Sequence, residues 1–147
     1  MRHSPAQITV QALTDDGIMD SPSSGGDWPL YVDHLPKTKQ CAAIRTTAGI
    51  SDGRIMKTGE VIDHPGIQVR VKGHTYEDAN QKCWAIADYF SKLKYKLVVL
   101  SDGFGYTIQA VSRFSPILPL GVEEGTGLYI FSCNFTVTLS QPAEVNQ

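Results

Sequence analysis

Between Thr75 and Leu93 the apolar residues Tyr76, Ala79, Cys83, Ile86, Phe90 and Leu93 recur at steps of three and four. A helix turns once in about 3.6 residues, so this spacing lays them along one core-facing stripe. Thr75 is placed to cap the start, and Glu77 and Asp78 fall in the first turn, where the helix dipole favours anions. Asp78–Lys82 and Asp88–Lys92 are spaced as helix ion pairs. Trp84 and Tyr89 lie off the stripe, where they either widen the buried face or meet a partner. A second helix is expected over Pro5–Asp16. Ser4 is its cap, Pro5 suits the first position, Gln7 completes a capping box, Ile8, Ala12 and Leu13 form a thin stripe, and Gly17 stops it.

The other pattern is alternation. Ile67, Val69 and Val71 point one way and Gln68, Arg70 and Lys72 the other, which is the period of a strand. Over Leu128–Leu139, Tyr129, Phe131, Cys133, Phe135, Val137 and Leu139 share a face. Cys41–Thr46 and Lys96–Leu100 read as strands. Tyr106–Phe114 reads as another, with Tyr106, Ile108, Ala110 and Ser112 opposed to Thr107, Gln109, Val111 and Arg113. Trp28–Val32 is a short extended segment. Met19–Asp27, rich in Ser, Gly and Pro, reads as a flexible loop, and Pro116 and Pro119 break the chain. Ala48–Pro65 carries three glycines and a run of mixed charge, and reads as a long loop or an extended β-arm. Gly121–Gly127 is a polar, acidic turn. The expected fold is α+β, a mixed or antiparallel sheet of about 4–6 strands with two helices covering one face. One domain spans 1–147, with the core sheet and main helix in 28–140 and a tail at 141–147.

At 147 residues the chain can bury a core without disulfides or metal. Its net charge of −2 argues against sequence-independent nucleic-acid binding, which needs clustered Lys and Arg. No apolar run reaches the roughly 18–20 residues of a membrane span, and the N-terminus has no signal-peptide pattern. The product is expected in the cytoplasm of the cell that makes it. Cys41, Cys83 and Cys133 are widely spaced and read as small apolar core residues. His3, His34, His64 and His74 are scattered beside turns, and no C-x-x-C or H-x-x-x-H occurs, so neither a metal nor another cofactor is expected. Asp102-Gly103-Phe104-Gly105 is a hairpin turn rather than a phosphate loop, because a strand and not a helix follows it.

One ordered set of segments resembles a known family. His64-Pro65-Gly66-Ile67-Gln68-Val69-Arg70-Val71-Lys72-Gly73-His74-Thr75-Tyr76-Glu77-Asp78-Ala79 is similar to the central strand-into-helix motif of phage tail terminator and minor capsid proteins. Leu35-Pro36, Thr47-Ala48-Gly49, Leu118-Pro119-Leu120-Gly121 and Phe131-Ser132-Cys133-Asn134-Phe135 resemble its other segments in order, over about Trp28–Ser140. Val122–Gly127 departs from the pattern in lacking a basic residue.

The resemblance implies a structural virion protein with no catalytic residues, found in the neck or tail of the particle and in host cytoplasm during assembly. Its copies would form a homohexameric ring that caps the tail tube, meets the head–tail connector or stopper protein, and lets DNA through its lumen without specific binding. Arg70 and Lys72 are then candidates for contact with a neighbour's acids or for a basic lumen patch, against the alternative of a solvated face. Asp52, Arg54, Lys57 and Glu60 are candidates for a loop that orders on docking, against a merely solvated one. Glu123 and Glu124 are either an interface or a solvated turn. The near alternative is another head–tail joining or minor capsid protein of the same fold. More remote are a cytoplasmic binding module and a small hydrolase using His64 or His74 with Asp63 or Asp78.

Overall fold

The computed structural model describes residues 3–36, 39–54 and 61–141. Helix α1 runs Pro5–Asp15 and helix α2 runs Tyr76–Lys92. The strands are β1 (Leu30–Val32), β2 (Cys41–Arg54), β3 (Val61–Gly73), β4 (Lys94–Val99), β5 (Gly105–Arg113), β6 (Leu118–Val122) and β7 (Tyr129–Gln141). They form one seven-stranded sheet in the order β1-β2-β3-β7-β5-β4, with β6 also paired to β7. β1 lies parallel to β2 and every other pairing is antiparallel. The fold is therefore α+β with a mixed sheet, one strand above the expected range.

Both helices start as their caps dictate. Ser4 Oγ accepts from the Gln7 amide at 3.2 Å while the Gln7 side chain accepts from the Ser4 amide at 2.9 Å. Thr75 Oγ1 accepts from the Asp78 amide at 3.1 Å. Ala79, Cys83, Ile86, Phe90 and Leu93 are buried as their spacing predicts. Tyr76 is the exception at 52% exposed, and its ring meets Phe131 and Tyr129 edge-on at the rim of the core. Lys82 donates to the Ile18 carbonyl at 2.8 Å and stacks over Trp28. Tyr89 donates to Asp16, which holds the Asp16 carboxyl below its ordinary range and ties α2 to the end of α1.

The sheet face formed by Ala42, Ile44, Ile67, Val69, Val71, Phe131, Cys133, Phe135, Val137 and Leu139 is buried against the helices. The segment at 48–65 is mostly arm, because β2 continues to Arg54 and β3 begins at Val61. Its irregular pairing between Thr47 and Ile50, and between Ser51 and Arg54, explains why the sequence there lacks clean alternation.

Two strand readings are corrected. In β5 a bulge between Ile108 and Ala110 shifts the alternation, so Val111 is buried and Ala110 and Ser112 are not. Pro119 does not end regular structure, because it lies within β6, where the shift between Pro119 and Gly121 accommodates it on an edge strand.

Gly73 joins β3 to α2 at very close approach. A Cβ added there would lie 2.8 Å from the Ala79 amide nitrogen and 2.9 Å from the Ala79 Cβ. Gly73→Ala is expected to destabilise the fold by about 1–3 kcal/mol through overpacking, read as a lower urea midpoint at unchanged m-value. A midpoint equal to that of the parent would show that α2 shifts freely on β3.

Candidate functional site

Arg70 and Lys72 lie on the helix-free side of the sheet, where β3 runs between β2 and β7. Across it Cys41, Ala43 and Arg45 of β2 pair with Lys72, Arg70 and Gln68 of β3, which pair in turn with Ile130, Ser132 and Asn134 of β7. Alternation places Arg70 and Lys72 on this face, but only Gln68 and Arg70 are half-buried there. Lys72 is 0% exposed. Its ammonium donates to the Pro36 carbonyl and pairs with Glu123 Oε2 at 2.7 Å. Glu123 also accepts from Thr126 Oγ1 at 2.8 Å, and its own backbone closes the turn through bonds with Leu128 and Gly127. One buried cation thus fastens three segments: β3, the chain before β2, and the β6–β7 turn.

Arg70 is different. Its Nε is buried and has no hydrogen-bond partner among the described residues. A buried donor without a partner costs about 1–3 kcal/mol, so it is a group left to be satisfied. Arg45 stands exposed on the same face, one strand away and diagonal to it.

Among the described candidate residues, the structure joins Lys72 to Glu123. Lys72 and Glu123 form the clamp, and Glu124 is exposed beside it. Asp52 and Arg54 are on β2 toward the arm, while Lys57 and Glu60 lie outside the described residues.

The histidines are separated. His3 is held by Tyr106 Oη and by Asp102 at 3.0 Å. His64 Nδ1 meets Thr138 Oγ1 at 3.1 Å, and His74 is exposed at the entry to α2. His64 and His74 are ten positions apart along an extended strand, roughly 33 Å, so they share no site with each other. No group of three metal-ligating side chains occurs among the described residues. All three cysteines are buried, and burial pushes the Cys83 thiol up to about 12 and raises Cys41 and Cys133 as well. Such thiols carry little thiolate at neutral pH.

Two apolar surfaces escaped the sequence reading. On β4, Tyr95, Leu97 and Val99 are 75%, 64% and 50% exposed. On β6, Leu118, Leu120 and Val122 are about half exposed, as are Tyr76 and Trp84 of α2. Arg113 stacks over Trp84, 5.0 Å from the ring centre. On β4 the signal was present as alternation at 95-97-99, but alternation does not say which face is covered; on β6 the register shift between Pro119 and Gly121 turns Leu118 and Val122 to opposite faces. Trp28 and Tyr89, by contrast, are partly buried against the core.

No helix among the described residues is long and apolar enough to cross a membrane. None of the curated proteins matches the chain. Among solved structures, a chain of "Virion of native gene transfer agent (GTA) particle" is similar to this one at 13% identity and a TM-score of 0.50, covering 93% of this chain and 95% of that chain. At that identity the likeness is one of fold. The family model described as "Bacteriophage tail terminator protein" matches residues 12–141, nearly the whole folded chain. With the strand-into-helix unit at Ile67–Ala79 now seen as β3 running into α2, and a family match of that extent, this chain belongs to the bacteriophage tail terminator family, a family of structural virion components.

Proposed function

We propose that the protein caps the finished tail tube as a ring of identical copies, stops its growth, and presents a surface to the head–tail connector, without catalysing a reaction. The family match over residues 12–141 carries this reading. The solvent-exposed face is consistent with it. Half-buried Arg70 and exposed Arg45 put two guanidinium groups on one face, a charge that suits carboxylates of a neighbouring molecule. Lys72 and Glu123 then act by holding the β6–β7 turn, and Glu124 is the acid that this turn offers outward. In this reading Asp52, Arg54, Lys57 and Glu60 are contacts for the tube or the next copy, and DNA passes through the ring without being read. The particle neck is the site of action, reached after assembly in the host cytoplasm.

The test is to add the purified chain to polymerising tail tubes and image the ends. The expected result is a ring-shaped cap of about six copies and an end to elongation. A chain that stays monomeric, leaves elongation unchanged and is absent from purified particles would overturn the reading. Density for the chain elsewhere at the head–tail junction would favour another joining role of the same fold.

A further inference from the structure

The chain holds three Asp-Gly pairs: Asp16-Gly17, Asp52-Gly53 and Asp102-Gly103. Such a pair can rearrange without an enzyme. The glycine nitrogen attacks the aspartate Cγ, and the protonated carboxyl gives up its hydroxyl, which leaves with the amide proton as water. A cyclic imide forms. One water then opens the ring at either carbonyl, returning aspartate or giving isoaspartate, whose main chain runs through the side-chain carbon. Glycine makes the pair susceptible because it has no Cβ to shield the attacking nitrogen. The β4–β5 turn needs glycine at 103 for another reason, its φ of 84°, so the residue that makes the turn also makes the labile bond.

Hydrogen bonds restrain two of these pairs. At the end of α1, Asp16 accepts from Tyr89 Oη at 2.6 Å and Lys96 Nζ at 3.1 Å, while the Gly17 amide donates to the Thr14 carbonyl at 3.1 Å. In the β4–β5 turn, Asp102 accepts from the Phe104 amide at 3.1 Å and pairs with His3 Nε2 at 3.0 Å, while the Gly103 amide donates to the Leu100 carbonyl at 2.9 Å. In each pair the carboxyl cannot turn on the nitrogen, nor the nitrogen lose its proton, until local opening breaks these bonds. The restraints differ in origin. Asp16 takes both side-chain partners from packed elements, α2 and β4. Of these two partners of Asp102, one is in its own turn and the other, His3, precedes α1, where Tyr106 Oη at 2.9 Å from Nδ1 seats its ring. We infer that Asp102-Gly103 is a slow isomerisation site of the folded protein, and that His3 is a positioning residue that sets its rate by holding the carboxylate. The chemistry needs no second copy of the chain. A structural virion component is not replaced once the particle is built, so the change accumulates. Its product carries an extra methylene in the main chain, which displaces the carboxylate from His3 and loosens the β4–β5 turn from the segment before α1.

The test is to hold the purified chain at neutral pH for weeks, digest it, and measure isoaspartate peptide by peptide, as a retention shift at unchanged mass and as methylation by an isoaspartyl methyltransferase. The folded parent should show isoaspartate at residue 102 and none above background at residue 16. His3→Ala should raise the rate at 102 roughly fivefold, the worth of one ordinary hydrogen bond, and leave residue 16 unchanged. His3→Gln, which keeps a donor, should stay near the parent. The chain unfolded in urea should react at both positions, because only folding separates them. Equal rates at residues 16 and 102 in the folded parent, or an unchanged rate at 102 in His3→Ala, would overturn the inference. Acceleration at both positions in His3→Ala, as general loosening of the domain would give, overturns it too.

Discussion

Glu123→Ala should lower the stability of the protein by about 3–5 kcal/mol, although the residue lies in a polar turn where most substitutions change stability by less than about 0.5 kcal/mol. The reason is the partner. Lys72 has 0% exposure and pairs with Glu123 at 2.7 Å, its other contact being the neutral Pro36 carbonyl. Removing the carboxylate leaves a cation inside the protein with no opposing charge, and its desolvation is no longer offset. The loss is a large share of the roughly 5–15 kcal/mol that holds a domain together. The reciprocal change, Lys72→Met, should cost less, because Glu123 is 21% exposed and can take up water. The double variant Lys72→Met with Glu123→Gln should recover much of the loss seen in Glu123→Ala, since no unpaired charge remains. Urea unfolding of the parent, both single variants and the double variant measures the coupling. Equal, small losses in both single variants would show the pair to be solvated and the clamp to be unimportant.

Phe135→Ala should cost a similar amount, about 3–5 kcal/mol, by emptying the centre of the core. Phe135 is 1% exposed in the middle of β7, and its ring meets Phe90 of α2 at 5.0 Å and 69°. Truncation removes both the buried area and the edge-to-face contact that seats α2 on the sheet. Phe135→Leu keeps most of the volume and should lose less than half as much. A loss below about 1 kcal/mol for the alanine variant would mean that the core collapses around the site and that α2 is held mainly elsewhere. The measurement is again the unfolding midpoint, with near-ultraviolet circular dichroism reporting whether aromatic packing survives.

The two variants separate two kinds of legibility. The place of Phe135 could be read from the chain, because the alternation from Tyr129 to Leu139 is long and unbroken and only one face of such a strand can be core. The same holds for the stripe of α2 and for both helix caps, where a side chain bonds a backbone amide three residues away. These are local relations, settled by neighbours in sequence. β6 was hidden because Pro119 normally argues against a strand, and the edge position that makes it tolerable is set by β7, a separate segment of the chain. The bulge in β5 was hidden for a related reason: it exists to keep β5 in register with β7.

The candidate interface was less legible than the fold. The sequence by itself determined the α+β class, the two helices, the core faces of β3 and β7, and the ordered segments that mark the family. Periodicity and capping depend on residues within a turn or two of one another. Only the tertiary structure decided that Lys72 is buried, that Glu123 is its partner, that Arg70 Nε has no partner among the described residues, and that β4 and β6 leave apolar side chains exposed. Alternation assigns a side chain to a face but cannot say what lies over that face. Coverage depends on segments such as Pro36 and Glu123, which are 36 and 51 positions from Lys72 in the chain and beside it in space.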